Sequence, residues 1–290
     1  MFDYMKVLRQ LVAVIFAMIG IGCSAETERD GYIYRPSQQD SMPSTPSANE
    51  IPDAKLTAGD DGVYVYTAQQ SGEHSMVLVP AGETLIGWDE GRPNERPEHI
   101  VYLDSFYIDR FEVTNAQWDH FALATGKPTK GNTAEPDHPV VGVSIDDAFD
   151  YCGWMGLDVP TEAQWEKAAR LPDGDQSQYP WGNYVGPEHA NFNMHIGGTT
   201  EVGAYPLGIS VYGAFDMAGN VWEWVSDYYA KNYYASSPLE NPTGPQTGNV
   251  HLIRGGSWNR EASNLRVSFR DLCFPEGASD VGFRCVLNDG

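Results

Sequence analysis

Basic residues are scarce in this chain. Its 290 residues hold 18 Lys and Arg against 40 Asp and Glu, which gives a formal net charge of -22 and a pI near 4.5. A surface of that sign repels phosphate backbones and anionic lipid, so nucleic acid is not an expected partner, whereas hard cations and basic proteins are admissible ones. Catalytic signatures are missing too. There is no phosphate loop and no Gly-x-Ser-x-Gly elbow. The seven histidines are scattered, and the nearest pair, His189 and His195, lacks a metal-ligand spacing. Ser257 follows two glycines, but no base stands at a recognisable spacing from it. Long apolar runs are also lacking: the run from Leu11 to Ile21 is too short to span a bilayer as a stable helix.

That run reads as an export signal. Lys6 and Arg9 precede it and Gly22-Cys23-Ser24 ends it, a pattern that resembles a bacterial lipoprotein signal in which Cys23 is lipidated after cleavage. Gly20 departs from that pattern, which usually carries a larger apolar residue three places before the cysteine. The following stretch is rich in Ser, Pro, Thr and Glu and has too little apolar surface to offset its ordering entropy. The expected organisation is a signal peptide over 1–22, a disordered tether over 23–73 and one folded domain over 74–290. With 41% hydrophobic residues, 30 Gly and 19 Pro, that domain can bury a single large, loop-rich core.

Within it, MVLVPAG reads as a strand with TLIGW as its hairpin partner, and HIVYLDSFYIDRFEVT as two strands broken at Asp104-Ser105. Three helices are placed by their caps. Thr114 with Gln117 forms a capping box for a helix ending at Gly126, Ser144 starts a second, and Thr161 with Gln164 opens a third. Beyond Leu171 the pattern gives way to turn-rich, aromatic loops and short strands such as HLIRGGS and VGFRCVL.

The segments MVLVPAG, FYIDRFEVTNAQW, HPVVGVS, LDVPTEAQWEKAAR, YPWGN, ANF, DMAGNVWEW, IRGGSW and VGFRC occur in this order. Together they resemble the formylglycine-generating enzyme family, or sulfatase-modifying factor domains, over about residues 74 to 287. The resemblance implies a mixed α/β (α+β) domain, distantly similar to the C-type lectin fold, with little regular structure.

It also implies site residues. The loop DMAGNVWE brackets a Gly-Asn turn with two carboxylates, an oxygen-rich arrangement suited to calcium. By resemblance Asp216 and Glu223 are ligands through carboxylates, and Gly219 and Val221 through carbonyls. A weaker second set is Asn191, Phe192 and Glu112. The family's oxidation of a substrate cysteine uses two active-site cysteines that bind copper as thiolates. The matching positions here hold Arg260 and Leu265, so copper is not expected, while the pocket positions Trp222 and Ser257 do match. The resemblance pairs Cys152 with Cys285 in a disulfide. Cys273 is left over, either as a small buried residue or as a lone reactive thiol.

The expectation is a cell-envelope lipoprotein, anchored to the membrane through Cys23, periplasmic or surface-facing. It would use the family's scaffold without copper chemistry to bind, assemble or mature an envelope protein or small molecule. One alternative is a formylglycine-generating oxidase that matures sulfatases, which would need Cys273 to act alone. Another is a calcium-dependent carbohydrate-binding module, because the loops are rich in Trp and Tyr.

Overall fold

Local chemistry sets the three helices. In α1 (Asn115–Thr125), Thr114 Oγ1 accepts the Gln117 amide while the Gln117 side chain accepts the Thr114 amide, and Gly126 ends the helix at φ 76°. The same reciprocal box opens α2 (Ile145–Met155) with Ser144 and Asp147, and α3 (Glu162–Ala169) with Thr161 and Gln164. Each box satisfies two amides that a helix start otherwise leaves without partners. The computed structural model describes residues 54–59, 62–68, 72–130, 132–172 and 176–289. The expected signal, Cys23 and most of the tether lie outside these.

Eleven strands are defined among the described residues: β1 (Lys55–Ala58), β2 (Val63–Ala68), β3 (Gly72–Val79), β4 (Gly82–Ile86), β5 (His99–Leu103), β6 (Phe106–Asp109), β7 (Trp222–Tyr228), β8 (His251–Arg254), β9 (Asp271–Cys273), β10 (Val281–Gly282) and β11 (Val286–Asn288). They form a five-stranded sheet in the order β1-β2-β3-β6-β11, a four-stranded sheet β10-β7-β8-β9 and a hairpin β4-β5. All pairs are antiparallel except β10 with β7.

Two expectations are corrected. The tether does not run to residue 73, because β1 and β2 already pair there, with Tyr66 buried and its hydroxyl donating to the Met155 carbonyl. The TLIGW strand does not fold back on MVLVPAG: β4 takes β5, and β3 takes β2 and β6. The break at Asp104-Ser105 between β5 and β6 is where the reading placed it.

One apolar core lies between α1, α2 and the four-stranded sheet, where Trp118, Phe121, Tyr151, Trp222, Trp224 and Phe283 are buried. A second packs α3, through Trp165 and Ala168, against β3, β6 and β8. Between α3 and β8 runs a buried ion network. Glu162 is held by Arg254 and Arg270, and Glu166 by Arg254 and Arg170. Such charges tolerate burial because each is paired and hydrogen-bonded. The network fixes the end of β8, from which the candidate site starts.

Candidate functional site around Ser257 and the DMAGNVWE loop

Arg254 anchors the last residue of β8, and two glycines then turn the chain. Gly255 and Gly256 have φ of 90° and 77°, and a Cβ on Gly256 would come 2.7 Å from Leu265. Only glycine allows both the left-handed backbone and that approach. The turn delivers Ser257, fully buried, with its hydroxyl 2.9 Å from Asp280 Oδ2 and 3.1 Å from Asn259 Oδ1. A hydroxyl has one proton, so it donates to one of these; if the Asn259 amide is turned about, its NH2 donates to Ser257 and Ser257 donates to Asp280.

Asp280 gathers the remaining groups. Its carbonyl accepts the Trp222 main-chain amide at 2.9 Å, and Arg260 Nη2 lies 3.5 Å from its Oδ2. Asp280 Oδ1, Trp222 Nε1 and Arg260 Nε are buried and have no hydrogen-bond partner. Leu265 is fully buried in an apolar cluster with Tyr179, Ala190 and Ala218. Above this segment a tight turn lies across 258–260: the Asn193 amide donates to the Arg260 carbonyl and the Met194 amide to that of Trp258. Both central residues of the turn are left-handed, at φ 54° and 58°, and the His195 amide closes it on the Phe192 carbonyl. Met194 and Ile196 are exposed.

The DMAGNVWE loop adjoins this site through the Gly219 amide, which donates to the Gly255 carbonyl at 2.9 Å. Asp216, at φ 58°, accepts the Gly203 amide. Glu223 is clamped: Arg284 donates to both of its oxygens, at 2.6 and 2.7 Å, and the Trp165 indole donates to one of them at 2.8 Å. Glu112 accepts from the Asn220 side chain with one oxygen, and its other oxygen, Oε1, is buried without a partner. These three carboxylates share Arg284. Burial, with the charges of Asp216 and Glu223, pushes the Glu112 carboxyl well above the usual range. Burial also raises Asp216 to about 6, although the Gly203 amide and Arg284 oppose it and Glu223 adds to it.

The sequence-derived residues thus fall into two adjoining sets. Trp222, Ser257 and Arg260 meet at Asp280. Arg284 holds Glu223 and its charge acts on Asp216 and Glu112, and Asn191 is linked to Glu112 through Asn220. Gly219 and Val221 lie in the loop between, and Phe192 packs beside Leu265 while its carbonyl serves the Met194 turn. Sequence reasoning missed Asp280, Asn220 and Arg284, although Asn220 lies within DMAGNVWE and Arg284 within VGFRC. Among the described residues, no group of three or more His, Cys, Asp and Glu is disposed to hold a metal ion.

Cys152 and Cys285 are joined, closing a loop of 133 residues. Cys273 is buried and also disulfide-bonded, so the reading of it as a lone reactive thiol is corrected: no described cysteine is free.

Comparison with known proteins follows the same residues. The sulfatase-modifying factor enzyme 1-like domain matches residues 64–289. A formylglycine-generating enzyme of Streptomyces coelicolor is 32% identical over 76% of this chain and 91% of its own length, and that of Bos taurus is 31% identical over 73% and 74%. A Chlamydia caviae protein named serine/threonine-protein kinase pkn1 is 35% identical over 73% of this chain; the chain spans 37% of that protein's length. Among solved structures, PvdO from Pseudomonas aeruginosa superposes with a TM-score of 0.66 at 25% identity, covering 80% of this chain and 97% of that one.

Proposed function

Because the chain belongs to the sulfatase-modifying factor enzyme 1-like domain family, we propose that it is a cell-envelope member of that family acting by binding, assembly or maturation of an envelope protein or small molecule, without the copper oxidation. The observation that carries this reading is the chemistry beside Ser257. Where the resemblance places the copper thiolates stand Arg260, a cation set against Asp280, and Leu265, enclosed by apolar side chains. Neither is a soft donor, and no described cysteine is free to replace one.

The experiment is incubation of the protein and Cu(I) with a sulfatase-derived Cys-x-Pro-x-Arg peptide. Unchanged peptide supports the reading, and aldehyde product sinks it. The second reading, a formylglycine-generating oxidase, is the one that the names of the long-matching relatives favour. The same assay tests it.

The Cys152–Cys285 disulfide fits an oxidising compartment, which supports an envelope location. We propose a lipid on Cys23 as the membrane anchor; the disulfide of Cys273 stands against it, because Cys23 is the one cysteine of the sequence left to pair with it, and intact mass spectrometry of the mature protein decides between them. A diacylated Cys23 supports the anchor, and Cys23 found in a disulfide with Cys273 removes it.

We also propose calcium at the DMAGNVWE loop, held by the carboxylates of Asp216 and Glu223 and the carbonyls of Gly219 and Val221. What supports it is the imbalance of the buried carboxylates Asp216, Glu223 and Glu112 against Arg284; the partnerless oxygens Glu112 Oε1 and Asn191 Oδ1 belong to the weaker second set. Against it stands the double hold of Arg284 on Glu223, which calcium would have to share. A fall in melting temperature on adding chelator supports the site, and an unchanged melting curve removes it.

A further inference from the structure

We propose that Trp222, Ser257, Arg260 and Asp280 form a recognition pocket for a primary carboxamide, the group that ends an asparagine or glutamine side chain. The inference rests on the binding reading of this site and names the chemistry of what is bound. Three polar atoms there are buried and have no partner: the Trp222 indole N–H and Arg260 Nε–H, both donors, and Asp280 Oδ1, an acceptor. They belong to residues that adjoin at Asp280, whose main-chain carbonyl takes the Trp222 main-chain amide and whose other carboxylate oxygen takes Ser257 and faces Arg260. Ser257, Trp222 and Asp280 are fully buried, whereas Arg260 keeps 16% of its side chain exposed and so stands nearest solvent.

The mixture of open donors and an open acceptor selects the ligand. A carboxylate brings acceptors alone and would set its charge against Asp280. An ammonium brings donors alone and would meet Trp222 and Arg260 with nothing to accept their protons. A primary carboxamide brings an N–H for Asp280 and a C=O for the two donors on one edge of a planar group. A trans peptide unit points those two groups in opposite directions. Leaving buried polar atoms unpaired costs about 1–3 kcal/mol each, so a group that satisfies all three is strongly favoured over one that satisfies two.

The test is titration of the full chain with acetamide, N-methylacetamide, sodium acetate and methylammonium chloride, followed by NMR of the indole N–H signals. Acetamide is expected to move one indole signal saturably, a signal missing in Trp222→Phe, with the other three probes at least about tenfold weaker. Arg260→Lys, which keeps the charge and removes the Nε–H, is expected to weaken acetamide about tenfold with an unchanged melting temperature. Should Trp222→Phe fail to fold, this second variant carries the test. Free glutamine and a short peptide with an internal glutamine separate a small-molecule source from a peptide one. Acetate as effective as acetamide, or no saturable shift with acetamide, overturns the pocket. The readout is binding alone, so its failure leaves the non-oxidase reading standing, and aldehyde in the copper assay would leave this pocket standing.

Discussion

Met194 occupies a backbone position that ordinarily falls to glycine. With Asn193 and Met194 both left-handed, the turn is of the I′ kind, in which the second central residue is commonly Gly and a side chain pays a steric cost. Met194→Gly is therefore expected to raise stability by up to about 1 kcal/mol, about 2–4 °C in melting temperature, while Met194→Ala gives no gain. Calorimetry of the two variants checks this, and a destabilised Met194→Gly would show that the Met side chain stabilises the turn.

Asp227 gives a pH signature. Burial, reinforced by the charge of Glu162, raises its carboxyl to about 7, although it accepts the Glu162 amide and lies near Arg270. The unfolded value is near 4, so the folded state binds the proton more tightly. The stability it contributes is complete below about pH 4 and is lost as pH rises through 7. Asp227→Asn, which keeps the acceptor and removes the charge, is expected to gain about 1–3 kcal/mol at pH 8 and nothing near pH 4. Urea denaturation of both proteins at the two pH values checks it. Taking the difference between them cancels the opposite contribution of His251, which burial pushes down to about 4.

At the scale of elements, the three helices were legible because a capping box is written within four residues. Trp118, Phe121 and Ala122 in α1 and Ile145, Ala148 and Cys152 in α2 recur at three- and four-residue spacing and are buried, while Phe149 on the same face is half-buried. Strand partners were less legible. Alternation says that TLI is a strand but not that it pairs with His99–Leu103 across a loop. Strand β7 was missed because WEWVSDY is buried on almost every residue, which erases the two-residue period, and its buried Glu223 reads as a loop acid until Arg284 is seen against it. Asp280 was missed for a related reason: its partner Ser257 is distant in sequence, and neither residue carries a local motif naming the other.

The disulfide belongs to this scale, because it ties α2 to the residue before β11. Replacing Cys152 and Cys285 by Ala is expected to cost about 5 kcal/mol in the chain-entropy model for a loop of this length. Denaturant unfolding of the double variant measures it, and a loss under about 1 kcal/mol would show that loop closure in the unfolded chain is not what the bond supplies.

For the molecule as a whole, the boundary of the folded unit matters most. A chain beginning at Ala54 retains β1 and β2, whereas one beginning at Glu73 removes both and leaves β3 with an open edge. An exposed edge of that kind pairs with other chains. The longer chain is expected to be monomeric and cooperative in unfolding, and the shorter to aggregate or to melt lower. Light scattering and thermal denaturation distinguish them. Equal behaviour would restore the tether to residue 73.

The placement of β11 governs when the edge of the large sheet and the disulfide can close. Val286 lies opposite Ile108, the neighbouring Cys285 is joined to Cys152, and Asp158 exchanges main-chain hydrogen bonds with Val286. The outer edge of the large sheet and the disulfide of α2 therefore both wait for residues 285–288 to reach their place. Contacts of such long range are slow to close. Closure of that edge and formation of the Cys152–Cys285 bond are therefore one late event of folding, which β1, β2, β3 and β6 can precede by pairing among themselves.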